Sequence, residues 1–288
     1  MRRNDAMNAI EVKGLCKSYK DFSIDNVSFY LPSGSIMGLV GENGAGKSTT
    51  IKLIMNAVKR DSGEITVLGT DNISKEFHLT KEDIGIVLDE AYFPEVITAR
   101  NVNSIMKNTY KNWDASKFYG YLSTFKLPEK KVFKEFSRGM KMKLAIAVAL
   151  SHAPKLLILD EATSGLDPII RDEILDIFND FTRDETHSVL MSSHIVSDLE
   201  KICDYVGFIH EGKMMFFEEK DRLLEEYALI KTTKAEFDQI NSGAVKGKKI
   251  TEYGVEALVE RKALPKELVT EHLCLEDIIL FLAKGGNR

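Results

Sequence analysis

The stretch SIMGLVGENGAGKSTTIKLIMNAVKR, residues 35–60, constrains the fold more than any other part of the chain. An apolar run of strand character leads into a glycine-rich turn, and a helical pattern follows at once. GENGAGKST matches G-x-x-x-x-G-K-[ST] at Gly41, Gly46, Lys47 and Ser48. Such a turn wraps backbone N–H groups around phosphates, and the dipole of the following helix adds to their pull. In that arrangement Lys47 bridges the β- and γ-phosphates, and the Ser48 hydroxyl is a ligand of Mg2+. The strand before and the helix after supply the context the motif needs.

A strand feeding a phosphate-binding turn belongs to an α/β sheet, and the rest of the chain reads the same way. Residues 10–30 alternate apolar and polar around KDF, which predicts a sheet region. IGIVLD, KLLILD, SVLMSS and DYVGFIHEG are further apolar runs. Between the last three lie two helical segments, DPIIRDEILDIFNDFTRD and IVSDLEKIC, the first opened by Asp-Pro. Apolar strands alternating with amphipathic helices predict a largely parallel sheet covered by helices. From 95 to 150 the period is helical, which predicts an inserted helical subdomain over 93–152. The composition changes after 222, so the expected division is one domain over 8–222 and a small α/β module over 223–288.

LLILDE sets two acids at the end of a buried strand. Parallel sheets hold ligand groups at that end. Asp160 is therefore expected to hold Mg2+, usually through a water, and Glu161 to serve as general base for an attacking water. The plainer reading is two solvated acids at a strand end.

Charge and composition narrow the partners. A formal net charge of −5 argues against a general nucleic-acid binder. No apolar run approaches the ~20 residues that span a bilayer. The opening MRRNDAMNAI is too short and polar for a signal peptide, and Met7 is an equally good start. Cys16, Cys203 and Cys274 lie far apart, which suggests a reducing compartment without a disulfide framework or a zinc cluster.

EFSRGMKMKL, residues 135–144, carries an odd charge pattern. Ser137 and Gly139 open an expected helix, while Arg138, Lys141 and Lys143 crowd its first turns. The positive end of a helix dipole prefers acids, so an anion from elsewhere is called for. With LVGENGAGKST, FSRGM, LLILDEATSGLDP and MSSH in this order, residues 10–222 resemble the ATP-binding cassette (ABC) ATPases. The family's LSGGQ signature reads here Phe136, Ser137, Arg138, Gly139 and Met140, with Ser137 and Gly139 matching.

The resemblance implies a P-loop NTPase core of mainly parallel sheet, with an N-terminal antiparallel β region, an inserted helical subdomain and a C-terminal α/β appendage. ATP and Mg2+ are the implied cofactors. ATP contacts fall on Tyr19, Gly41, Asn43, Gly44, Gly46, Lys47, Ser48 and Thr49. Ser137, Gly139 and Asp167 reach the ATP of a second subunit, so the missing anion is the partner's γ-phosphate; Arg138, Lys141 and Lys143 then either assist phosphate binding or pair with nearby acids, and the plainer reading is solvated surface cations. Lys47, Glu161 and His194 carry the chemistry, His194 as the switch histidine that touches the γ-phosphate. Tyr19 stacks on adenine by this resemblance, with Phe22 as the alternative; pattern alone makes Tyr19 a core or sheet aromatic. His78, His152, His187, His210 and His272 match no motif.

One departure stands out. Where the family usually ends a strand with Gln, this chain has Asp89, followed by Glu90. Asp is shorter and anionic, which implies a weaker or more conditional Mg2+ contact at Asp89, beside the expected ligands Ser48 and Asp160. The functional expectation is an ATP-hydrolysing subunit on the cytoplasmic face of a membrane, working as a homo- or heterodimer with separate permease chains. No nucleic acid is expected. The signature, Asp89 and the C-terminal appendage resemble exporters of drugs, lipids or peptides. The rivals are a soluble ABC-type ATPase without a transport role and a regulatory ATP-binding module with little hydrolysis.

Overall fold

A computed structural model describes residues 8–89, 93–252, 254–265 and 268–285. Strands β1 (Asn8–Ser18) and β2 (Ser23–Pro32) pair antiparallel across the KDF turn, and the pairing slips at Val12/Leu15. The fully buried β3 (Ile36–Val40) runs into helix α1 (Lys47–Ile54) through the glycine-rich turn. β4 (Ser62–Val67) and β5 (Thr70–Asp71) complete an antiparallel sheet of order β2-β1-β4-β5. A short helix, α2 (Phe77–Thr80), leads to β6 (Ile84–Val87).

The helical segment follows as α3 (Ala99–Thr109), α4 (Ala115–Thr124) and α5 (Arg138–Leu150). Each start is capped by a side chain of the type that prefers that position. Thr98 and Asn101 form a capping box on α3, Asp114 accepts the Lys117 N–H on α4, and Ser137 accepts the Met140 N–H on α5. The segment is helical as expected, with one addition, an isolated bridge between Thr98 and Val132.

The chain then alternates β7 (Leu156–Asp160), α6 (Pro168–Phe181), β8 (Ser188–Ser193), α7 (Val196–Ile202), β9 (Tyr205–His210) and β10 (Lys213–Glu219). The central sheet has order β10-β9-β3-β8-β7-β6. It is parallel except at β10, which pairs antiparallel with β9. Strand alternation divides the apolar side chains between its faces. Leu157 and Leu159 pack with the helical segment, while Leu156 and Ile158 pack toward the antiparallel sheet.

Register fixes where the functional loops emerge. Val40 pairs with Ser193 and Asp160 with Ser192, so the turns after β3, β7 and β8 leave the sheet at one edge.

The remainder folds as α8 (Lys220–Glu226), β11 (Tyr227–Thr232), α9 (Lys234–Phe237), β12 (Val245–Thr251), β13 (Gly254–Glu260) and α10 (Leu275–Gly285), with a sheet of order β11-β13-β12. One face of this sheet has a small core around Ile230, Ile240, Val255 and Val259. The other joins the main core through Leu258, Leu275, Ile278 and Ile279. Glu200 on α7 ties the two parts: its carboxylate accepts the Leu275 N–H at 3.1 Å, and its carbonyl accepts Lys220 Nζ at 2.8 Å.

Candidate functional site

The phosphate-binding turn is shaped by close approach. A Cβ on Gly41 would stand 2.4 Å from the Ile209 carbonyl oxygen. Gly46, the N-cap of α1, has φ +118°, and a Cβ there would meet Ile24 at 2.6 Å. Only glycine serves at both positions. Asn43 and Gly44 are exposed, Ser48 and Thr49 half-buried, and the first turn of α1 holds no acid. The backbone N–H groups at this helix start are thus left for an anion.

Lys47 lies buried beneath the turn. Its ammonium donates to the carbonyls of Gly41 at 2.7 Å and Glu42 at 3.2 Å, and stands 3.0 Å from Glu161 Oε1. The other Glu161 oxygen is 2.6 Å from His194 Nδ1. Glu161 is buried and has φ +52°, a left-handed backbone that a side chain rarely adopts and that clusters at functional sites. The turn after β7 thereby swings the carboxylate between the lysine and the histidine. The three residues expected to carry the chemistry meet in one cluster.

Asp160 serves a second function. Its Oδ1 accepts the Ser48 hydroxyl at 3.1 Å and the Ser192 hydroxyl at 2.6 Å. A hydroxyl and a carboxylate side by side are the hard oxygen donors that suit Mg2+, which takes its remaining ligands from phosphates and water. Among the described residues no group of three or more His, Cys, Asp or Glu gathers as a metal site. The pair fits a magnesium ion that arrives with nucleotide.

Ser192 was not singled out by sequence. Its hydroxyl donates to Asp160 and accepts the Glu161 N–H at 3.1 Å, joining the two acids from beneath. The signal was present in SVLMSS: a wholly buried strand that ends in two serines must find partners for their hydroxyls.

The other expected residues occupy distinct places. Ser137 caps α5, and a Cβ on Gly139 would stand 3.0 Å from Ile170 on α6. Asp167 caps α6 by accepting the Ile170 N–H at 3.0 Å. Asp89, expected beside the metal, meets Arg138, whose Nη2 lies 3.1 Å from its Oδ1; Glu90 is outside the described residues. Lys143 pairs with Glu173 at 2.6 Å, and Lys141 stands 4.8 Å over the Phe133 ring. The cations of EFSRGMKMKL thus find acids and an aromatic face within their own chain. Tyr19 is not a core aromatic: the residue is 46% exposed, in the turn after β1, with its ring 6.5 Å from that of Phe22 and Lys17 Nζ 5.8 Å from its centroid. Phe22 packs beside Gly46.

A glycine-rich loop, a buried lysine, paired strand-end acids and a histidine on one edge of a parallel sheet define a P-loop ATPase. A family model described as ABC transporter matches residues 24–164. The lantibiotic transport ATP-binding protein SrtF of Streptococcus pyogenes is 36% identical over 215 residues, 74% of this chain and 91% of that protein. The bacitracin transport ATP-binding protein BcrA of Bacillus licheniformis is 35% identical over 210 residues, 72% of this chain and 68% of that protein. A solved ATP-binding subunit of an ABC transporter superposes with TM-score 0.68 at 26% identity, covering 75% of this chain and 91% of its own. The chain belongs to the ABC transporter family as an ATP-binding subunit, and it is an ABC-type ATPase.

Proposed function

We propose that this ATPase powers export of a drug, lipid or amphipathic peptide through separate membrane permease chains, on whose cytoplasmic side it sits. The relatives named for lantibiotic and bacitracin transport support that cargo class. No helix among the described residues is long and apolar enough to cross a membrane, in keeping with permeases on other chains. The observation that carries the reading is the cluster of Lys47, Glu161 and His194 beside the Ser48–Asp160 pair.

In the proposed cycle the phosphates of ATP enter the turn at Gly41–Thr49, and Tyr19 stacks on adenine. Lys47 leaves Glu161 for the β- and γ-phosphates. The freed Glu161 carboxylate then takes a proton from the attacking water, oriented by His194. Ser48 and Asp160 would hold Mg2+, which when bound would neutralise phosphate charge. The match of Ser137 and Gly139 to the family's signature supports a site completed by a second chain. Ser137, Gly139 and Asp167 would face that partner's ATP.

Glu161→Gln tests the reading. It should nearly abolish turnover and trap an ATP-bound dimer, seen by analytical ultracentrifugation. A variant that binds ATP and stays monomeric removes the two-chain site. Pull-down from solubilised membranes should recover a permease; a stoichiometric ribosomal partner instead would favour a role without transport.

A further inference from the structure

Two of the positions at which this chain departs from its family's usual pattern, Asp89 and Arg138, are in contact. Asp89 closes the exit from β6, where the chain leaves the central sheet for the helical segment. Arg138 is the first residue of α5, directly after Ser137 and before Gly139. Their side chains are half-exposed and meet at 3.1 Å. The guanidinium also lies over the SGLDP turn. Gly165 there has φ +67°, and a Cβ on it would stand 2.6 Å from Arg138 Nη1 and 2.8 Å from Cζ. One arginine therefore spans three segments: the β6 exit, the α5 start and the turn that carries Asp167.

We infer that Asp89 and Arg138 form a positioning pair that holds the first turn of α5 against the β6 exit and the SGLDP turn, setting how Ser137 and Gly139 are presented to a second chain's nucleotide. A lone arginine at this helix start would sit at the wrong end of the dipole and be free to swing. The Asp89 carboxylate supplies the missing charge and fixes the direction of the side chain. The glycine at 165 supplies the room. The same contact neutralises Asp89, which otherwise would add a negative charge near the phosphates. Neither residue needs to touch ATP for the pair to act. The presentation step rests on the two-chain reading above; the positioning itself does not.

The test is a double-mutant cycle with Asp89→Asn, Arg138→Gln and both together in the full chain. The first readout is hydrogen exchange of the amides in the first turn of α5, without nucleotide. The second is the ATP concentration for half-maximal dimerisation in the Glu161→Gln background. Each single change should speed exchange and raise that concentration by roughly two- to fivefold, as loss of a surface ion pair does. The double variant should be no worse than the poorer single one, and Arg138→Lys should recover part of the loss. Binding of a fluorescent ATP analogue to the monomer should stay within about twofold throughout. Strictly additive effects overturn the pair. So does a loss with Arg138→Gln when Asp89→Asn is silent, the result of direct phosphate contact by Arg138. If the Glu161→Gln protein with both residues intact binds ATP without dimerising, the two-chain reading fails, and the exchange cycle still decides the pair.

Discussion

Lys47 and Glu161 form a buried ion pair, Nζ to Oε1 at 3.0 Å, with each partner held from its other side: the lysine by the Gly41 and Glu42 carbonyls, the glutamate by His194. The lysine that the proposed cycle gives to the γ-phosphate and the carboxylate it gives to the attacking water thus neutralise each other. Breaking one half strands the other. Lys47→Met should destabilise the protein without nucleotide by roughly 3–5 kcal/mol, because a buried carboxylate loses its cation. Adding Glu161→Gln should recover most of that loss. Denaturant unfolding of the two variants measures it; a double variant as unstable as the sum of its parts would remove the pair from the stability of the fold.

Ser192→Ala should act on both acids at once. It removes the 2.6 Å donor to Asp160 and one acceptor of the Glu161 N–H, although the Ser192 carbonyl still accepts that N–H at 3.2 Å. Losing a buried hydrogen bond to a charged group costs about 1.5–3 kcal/mol. Asp160 then holds its direction through Ser48 alone, so the Mg2+ concentration needed for ATP hydrolysis should rise. A magnesium titration of steady-state turnover checks this, and an unchanged midpoint would make the Ser192 hydroxyl a packing feature only.

His152 offers a pH readout of the join between helical segment and sheet. Its ring is buried, stacks on Tyr110 with centroids 4.0 Å apart, and lies 3.2 Å from the Ile84 carbonyl. Burial pushes its pKa below 6.5, outweighing the upward pull of the Ile84 and Val148 carbonyls, Glu82 and Asp83. The folded chain then binds fewer protons than the unfolded one, so stability is full above the unfolded value and falls as pH drops through it toward the lower folded value. The stability difference between the native sequence and His152→Gln should therefore shrink as pH falls from about 7 to about 5. Urea unfolding across that range measures it; a constant difference assigns the pH response to other groups.

The sheet, its phosphate loop and the placing of Lys47, Asp160, Glu161 and His194 at one end of the strands were legible because each depends on short-range order. A buried strand followed by a fixed turn forces both the fold and the direction of the side chain. The partners of the odd cations were not legible, since Arg138 meets an acid 49 positions away and Lys143 one 30 positions away. Such pairings are decided by how α5 lies across β6 and α6, not by local spacing. β10 was missed for a related reason: KMMFFEE has no clean alternation, and it becomes a strand by pairing with β9. Ser192 was passed over because serine reads as neutral in a pattern until burial forces its hydroxyl to find partners.

The change in composition after residue 222 predicted a small separate α/β module, and the packing leads to a sharper expectation. Ile278 on α10 is fully buried in the same core as Leu199 of α7, the helix that begins just after His194. Ile278→Ala should cost about 2–5 kcal/mol, because it opens a cavity in a shared core. The loss should appear as one cooperative transition, shifted down for the whole chain, with the ATP-binding core and the appendage melting together. Glu200→Ala, which removes the carboxylate at the start of α10, should act the same way at about 1 kcal/mol. Calorimetry with and without ATP separates the alternatives. If Ile278→Ala yields an early transition that ATP does not shift, followed by a late one that it does, the appendage is an independent module and can be dispensed with. A single transition that ATP raises as a unit means that residues beyond 222 help hold α7, and through it the turn that carries His194.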